Sequence, residues 1–376
     1  MRRLEQYVSA GGKRLRCGYT TGTCAAAATR AATDLLLGGA CEPAVVVSVP
    51  AGIDVVVEVE DGRSGEGWAC CAVRKDAGDD PDVTDGVLVY ARVSRSDDSG
   101  VTIDGGEGVG RVTKAGLDQP VGAAAINSVP RAMIADAARA SAREHDYGGG
   151  LDVVISIPAG VELASRTFNP RLGIVGGISV LGTTGIVRPM SEDALVQAIA
   201  AELGVLRAAG ARHVLVVPGN YGLVYARDAL GLDVRDAVTC ANYLGATVDE
   251  AVRLGFTSMR LVGHLGKMIK VAGGVMNTHS RVADCRAEVF AAHAALVGAS
   301  REVVQAIMEA PTTDAMAEVL RGADLLDETM ASVMRRLGDV LVARAGDGMH
   351  VDVTVFSGHE SWHVQKGPAP VDINPL

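Results

Sequence analysis

Gly263-His264-Leu265-Gly266-Lys267-Met268-Ile269-Lys270 and the nearby Asn277-Thr278-His279-Ser280-Arg281 place two imidazoles, two ammonium groups and a guanidinium behind one apolar run, TSMRLVGH. Imidazole moves protons near neutral pH, and lysine and arginine hold carboxylates or phosphates. The group follows a predicted strand, and open α/β sheets bind ligands at the carboxyl ends of their strands. A second concentration runs from Thr167 to Met190, where five glycines fall among the thirteen positions Gly173 to Gly185, with Ser179, Thr183 and Thr184 adding hydroxyls. Glycine loses more conformational freedom on folding than other residues, so such a cluster marks positive φ angles or a close approach of backbone to something else. A strand with tight turns accounts for it; a ligand cradle accounts for it more sharply. Third, the run Lys75 to Gly86 carries five carboxylates in ten positions, Asp76, Asp79, Asp80, Asp82 and Asp85. It lacks the EF-hand spacing. A solvated acidic loop is the ordinary reading, against which crowded carboxylates raise one another's pKa toward general acid or base use.

Two further patterns carry less. His359-Glu360-Ser361-Trp362-His363 fits HExxH, but that motif binds zinc only on a helix, and here it comes after a β-branched run and Gly358. Gly106, Gly108 and Gly110 make a GxGxG, yet the residues Arg111 to Leu117 read as extended chain, which suits a hairpin turn better than a nucleotide fingerprint.

The elements that must position these groups divide in two. CAAAATRAATDLLL predicts a helix opening near Thr23, capped by Thr20, Thr21 or Thr23 and stopped at Gly38-Gly39. AVVVSV and DVVVEV flank a PAGI turn, WACCAVRK and GVLVYARV come next as strands, and residues 100–114 read as a glycine-rich hairpin or strand pair. A helix from about Pro130 to Glu144 precedes Tyr147-Gly148-Gly149-Gly150, the expected domain boundary. From Leu151 strands and helices alternate, which predicts a mainly parallel sheet with crossover helices. Residues 283–345 read as helical, and MHVDVTVFSG as a late strand without an assignable partner. The expectation is therefore α/β and α+β: an N-terminal α+β domain with antiparallel strands over 1–150, and a C-terminal α/β domain over 151–376 with a helical tail. VSVPAGIDV and ISIPAGVEL match in pattern, which fits either the same strand-to-turn device in each domain or chance similarity.

At 376 residues, with 48% hydrophobic and 21% charged residues, the chain can bury sizeable cores. The formal charge of −10 argues against nucleic-acid or anionic-membrane surfaces. It does not exclude an anionic ligand, which needs only local cations. The seven cysteines, Cys17, Cys24, Cys41, Cys70, Cys71, Cys240 and Cys285, contain no CxxC, so neither a disulfide framework nor structural zinc is expected. No apolar segment follows the basic start, and no run reaches a membrane span. A soluble protein of a reducing cytoplasm is expected.

GYTTGTCAAAAT, KDAGDDPDVTDG, GEGVGRVTKAGL, AINSVPR, TFNPRLGIVGGISVLGTTGIVRPMS and GHLGKMIKVAGGVMNTHSR, in that order, closely resemble the CbiD family of cobalt-precorrin-5B C1-methyltransferases. The resemblance runs from near residue 13 to near 290 and implies methyl transfer from S-adenosylmethionine to ring carbon C1 of a cobalt corrinoid, giving cobalt-precorrin-6A in anaerobic cobalamin biosynthesis. Cobalt then arrives within the substrate, and no protein-bound metal is expected. On this resemblance, Arg111, Lys114, Arg131, Arg171, Lys267, Lys270 and Arg281 are the cations for the macrocycle's carboxylates. His264 or His279 would move a proton, and Asp79 and Asp80, with Asp76, Asp82, Asp104 and Glu107 behind them, would serve the cofactor or the chemistry. The cofactor's place stays open among the Gly106, Gly108, Gly110 turn, the Gly176, Gly177, Gly182, Thr183, Thr184 loop and the Thr20 to Thr23 helix start. The partner implied is the cobalt-precorrin, with homo-oligomers and transient contact with neighbouring pathway enzymes left open. A glycine-loop enzyme on nucleotide or phosphate esters, and a non-catalytic corrinoid carrier, are the alternatives.

Overall fold

The computed structural model describes residues 4–10 and 12–369. The first arginines and the final VDINPL lie outside the described residues. The chain forms two compact units, Met1–Asp193 and Ala194–Leu376.

The first unit is built on a five-stranded sheet with the order Glu60–Gly65, Trp68–Arg74, Leu88–Ser96, Gly150–Ser156, Val101–Gly105. Its neighbours are antiparallel except the last pair, which is parallel. Helix Thr21–Gly38 packs on this sheet and against helix Ser128–Glu144. It begins where Thr20 Oγ1 accepts from Thr23 N at 3.1 Å, and it stops at Gly39, whose φ of 76° only glycine adopts freely. Ala25 to Ala28, Ala31 and Ala32 are buried together with Val73, Val89, Val93, Val153 and Ile155. Methyl side chains bring the helix close to the sheet, and the low aromatic content is thereby compatible with a packed core. Strands Ala44–Val49 and Ile53–Glu58 form the expected hairpin.

The second unit holds a sheet with the order Val238–Thr239, His213–Val217, Ser258–His264, His350–Ser357, Glu360–Lys366, parallel except for the last pair. Helices Glu192–Ala208, Asn220–Asp228 and Leu244–Leu254 connect or precede the first strands. Phe290, Met330, Val333 and Leu337 bury against Leu261, Leu265 and Val353.

Four expectations are corrected. The division falls after Asp193, not at the glycine run: Gly150–Ser156 lies between Leu88–Ser96 and Val101–Gly105, so cutting at 150 would strip the first sheet of a strand with both ladders made. Residues 100–114 are no hairpin, because Val101–Gly105, Gly108–Val109 and Arg111–Val112 each pair with a distant segment. The helical residues 286–345 are not a tail but an excursion between two paired neighbours, Ser258–His264 and His350–Ser357, which gives the late strand its partner. The two PAG turns differ, since the first closes a hairpin and the second leads into the short helix Gly160–Leu163.

Candidate active site

In the second unit the chain leaves strand His213–Val217 for the edge strand Val238–Thr239, then returns to the opposite side of the first strand as Ser258–His264. The connections after His213–Val217 and Ser258–His264 therefore diverge, and a cleft opens at their carboxyl ends. Pro218, Tyr221, Gly222, His264, Gly266, Lys267 and Arg286 line a volume of about 250 Å³. Two of these carry positive charge and none is acidic.

Lys267 Nζ donates to Pro218 O at 2.8 Å and to Ala241 O at 3.0 Å, tying the loop after His213–Val217 to the loop after Val238–Thr239. Burial, with a smaller repulsion from Lys270, holds its pKa below the usual lysine value. Ala241 has φ 50°, a left-handed conformation that a non-glycine residue adopts at some cost and that this tie helps hold. His264 caps helix Leu265–Ala272: its Nδ1 accepts from Gly266 N at 3.1 Å, while its ring meets Phe356 edge-on at 5.4 Å. An Nδ1 that accepts leaves the proton of the neutral ring on Nε2, so in this pose His264 is a donor. Arg286 Nε and Nη2 hold Asp284 at 2.8 and 2.6 Å. Cys240, beside the Ala241 loop, is no nucleophile, because burial pushes its thiol up to about 12.

Of the cations and imidazoles expected together after this strand, only His264 and Lys267 line the cleft. Lys270 is buried and donates to Thr278 O at 3.2 Å. His279 Nδ1 accepts from the main chain of the exposed Arg281 at 3.1 Å.

The glycine clusters of the first unit pack against one another. Gly108–Val109 pairs in parallel with Gly177–Ile178, and Gly110 N donates to Ile178 O at 2.9 Å. A Cβ on Gly177 would stand 2.3 Å from the Gly108 backbone, and one on Gly108 would stand 1.8 Å from Ile157 O. Gly106 faces Ser156, and Gly110 faces Ile174. Gly176 alone of this set has open space, at φ 84°. Farther along, Thr21 and Thr23 strap the Gly182-Thr183-Thr184-Gly185 turn: Thr23 Oγ1 donates to Gly185 O at 2.6 Å, and Leu181 N donates to Thr21 Oγ1 at 2.9 Å. A Cβ on Gly182 would meet Thr20. At Gly108 and Gly177 backbone meets backbone, at Gly106, Gly110 and Gly182 a neighbouring side chain takes the space of a Cβ, and Gly176 stays open, so close packing within the unit accounts for most of these glycines.

The acidic run is likewise built into this unit. Asp76 is forked by Arg16 at 2.6 Å on each oxygen, Lys75 Nζ donates to Asp82 at 2.6 Å, Asp79 accepts from Arg16 N at 2.6 Å, and Asp80 accepts from Met190 N at 2.9 Å. Arg111 is held by Asp104 at 2.6 and 2.9 Å, Lys114 reaches Arg171 O at 3.3 Å, and Arg131 donates to Ile126 O and Ile103 O, each at 2.9 Å. A larger groove of about 530 Å³ lies beside Asp85, Tyr90 and Glu162. Its arginine, Arg74, is already forked by Glu60. The HExxH reading fails on geometry, since Glu360 to His363 lie in an edge strand and His363 pairs with Asp352 at 2.6 Å. Among the described residues no three metal-binding side chains converge, and no helix is long and apolar enough to cross a membrane.

Pro218-Gly219-Asn220-Tyr221-Gly222 and Arg286 were not singled out from sequence. The signal was present: HVLVV ends a strand directly before a GxxG that enters a helix. A Cβ on Gly222 would stand 2.6 Å from Val262 O, so this glycine sets how closely helix meets strand.

The chain matches the family model CbiD over residues 8–189 and the model CbiD, C-terminal domain, over 277–366. It is 47% identical to a protein of Ruminiclostridium cellulolyticum over 94% of this chain and 92% of that one, and 41% identical to one of Alkaliphilus metalliredigens over 94% and 93%. A Salmonella typhimurium protein is 44% identical over 82% of this chain and 80% of its own length. All three are named cobalt-precorrin-5B C(1)-methyltransferase. The crystal structure of a cobalamin biosynthesis protein (cbiD) from Archaeoglobus fulgidus is 31% identical, with a TM-score of 0.41, covering 74% of this chain and 88% of that one.

Proposed function

The chain belongs to the CbiD family, and from that premise we propose that it methylates C1 of cobalt-precorrin-5B, with S-adenosylmethionine as donor, to give cobalt-precorrin-6A in cobalamin biosynthesis. The observation that carries the reading is 47% identity over 94% of the chain to a protein of that name. In the transfer the ring carbon supplies the electron pair of the new C–CH₃ bond. The S–CH₃ bond breaks toward sulfur, leaving a neutral thioether, and a proton must then leave the macrocycle if its charge is to stay unchanged.

No side chain has to act as a nucleophile, because alignment of two bound reactants supplies on the order of 7–11 kcal/mol of the barrier. What the protein must provide is a grip on a polycarboxylate and an in-line donor. His264 and Lys267 supply a hydrogen-bond donor and a cation at one cleft. Cobalt enters as part of the substrate. Arg111 and Arg131 keep roles in the first unit's framework, since their guanidinium groups already hold Asp104 and main-chain carbonyls. The test is incubation of the protein with cobalt-precorrin-5B and S-adenosylmethionine labelled in its methyl group. Label should pass to the macrocycle at C1; binding of the corrinoid without transfer would favour the carrier reading instead.

A further inference from the structure

We propose that the cleft at the carboxyl ends of His213–Val217 and Ser258–His264 is the methyl donor's site, seating the aminoacyl carboxylate at Lys267 and Arg286 and the nucleoside against Tyr221. The inference rests on the methyltransferase reading and moves the donor away from the glycines of the first unit.

The cleft lies where the strand order reverses, which is where an open parallel sheet leaves space between its outgoing connections. Its lining holds two cations, Arg286 being already paired with Asp284, so it offers hydrogen-bond donors to an anionic group. The donor carries a carboxylate and an α-ammonium at one end of its aminoacyl arm and the sulfonium farther along. Charge therefore orients it: the carboxylate lies innermost, toward Lys267 and Arg286, and the sulfonium methyl lies outward.

Lys267 has spent two of its three donors on Pro218 O and Ala241 O, and Arg286 keeps Nη1 beyond its fork to Asp284. His264 Nε2 adds a donor under its Gly266-capped pose. Tyr221 is 82% exposed although it lines the cleft, so its ring offers an uncovered face to a planar base. Gly219 has φ 119° with nothing within 4 Å of where a Cβ would stand. Unlike Gly108 or Gly177, it borders empty space and not another backbone. A volume of about 250 Å³ admits the arm of a nucleoside but not a tetrapyrrole, of which only one peripheral carboxylate could enter.

That peripheral carboxylate is the competing occupant, and calorimetric titration of the full chain separates the two. The probes are S-adenosylhomocysteine, 5′-methylthioadenosine, which lacks the aminoacyl arm, and cobyrinic acid as a carboxylate-rich corrinoid. Arg286→Ala should weaken S-adenosylhomocysteine by at least about tenfold, the scale of one lost charged hydrogen bond, and leave methylthioadenosine within about twofold. Tyr221→Ala should weaken both nucleosides. Tyr221 is largely exposed and Arg286 is held by a surface pair, so both variants should keep the wild-type unfolding midpoint. Failure of wild-type protein to bind S-adenosylhomocysteine sinks the methyltransferase reading itself. Wild-type binding with both variants unchanged leaves that reading standing and overturns this site. Loss of cobyrinic acid affinity in Arg286→Ala, with S-adenosylhomocysteine unaffected, gives the cleft to the macrocycle and also overturns it.

Discussion

Lys75 shows how a residue with an inviting charge can be committed to structure. It is 2% exposed, and its ammonium meets Asp82 at 2.6 Å while Thr84 donates to the other oxygen of Asp82 from both its N–H and its hydroxyl. Burial pushes the Asp82 carboxyl up, but Lys75 and Thr84 outweigh it and hold the group below the ordinary carboxylate value of 3.8. The folded carboxylate therefore binds its proton less tightly than the unfolded one does. Its stabilising contribution is complete above the unfolded value and is lost as pH falls through the depressed folded value. Asp82→Asn should cost about 2–3 kcal/mol at neutral pH, somewhat less than a fully buried pair because Asp82 is partly exposed. The deficit should shrink as the wild type is acidified, which urea unfolding of both proteins at pH 7 and at successively lower pH would reveal. A deficit that stayed constant with pH would mean that Lys75 does not depend on the charge of Asp82.

At the scale of elements, Gly177 marks the limit of what pattern reveals. A glycine is required wherever backbone closes on a ligand and equally wherever backbone closes on backbone, and the residue type is the same in both cases. Gly177→Ala would put a Cβ 2.3 Å from Gly108 main-chain atoms that belong to a paired strand and have no rotamer to yield. We expect a loss on the order of 3 kcal/mol in the first unit. Gly176→Ala, which meets no atom, should cost only the strain of φ 84°, about 1 kcal/mol. Denaturant midpoints that rank the two in the opposite order would refute the backbone-packing account. Local elements were legible where the deciding contacts are close in sequence: helix Thr21–Gly38 from its alanines and the threonines at its start, the 44–58 hairpin from two β-branched runs about a PAGI turn, and strand Ser258–His264 from the apolar run TSMRLVGH. Pairings between distant segments were not legible. His350–Ser357 finds its neighbour across a run of helices, and Gly150–Ser156 is claimed by strands on both sides although Gly148-Gly149-Gly150 reads as a break in the chain. The site followed the same division. Lys267 and His264, singled out by type, line the cleft, whereas Tyr221 and Arg286 were recognisable as lining it only once the order of the second sheet was known.

For the whole molecule, a net charge of −10 and a substrate bearing several carboxylates oppose each other at a distance, whatever cations meet those carboxylates at contact. The two effects differ in range. At an ionic strength of about 10 mM the screening length is about 30 Å and the envelope's charge dominates the approach; at about 0.15 M it is about 8 Å and only nearby charges are felt. Added salt should therefore raise the association rate of a corrinoid polycarboxylate and also raise its dissociation rate, because the contact pairs weaken too. S-Adenosylmethionine, a net cation at neutral pH, should show the reverse trend on approach, associating faster at low salt. Stopped-flow absorbance for the corrinoid, and competition against S-adenosylhomocysteine for the donor, would give both slopes over the same salt series. Association slopes of the same sign for the two ligands would mean that local fields at their sites, and not the acidic envelope, control how each is captured.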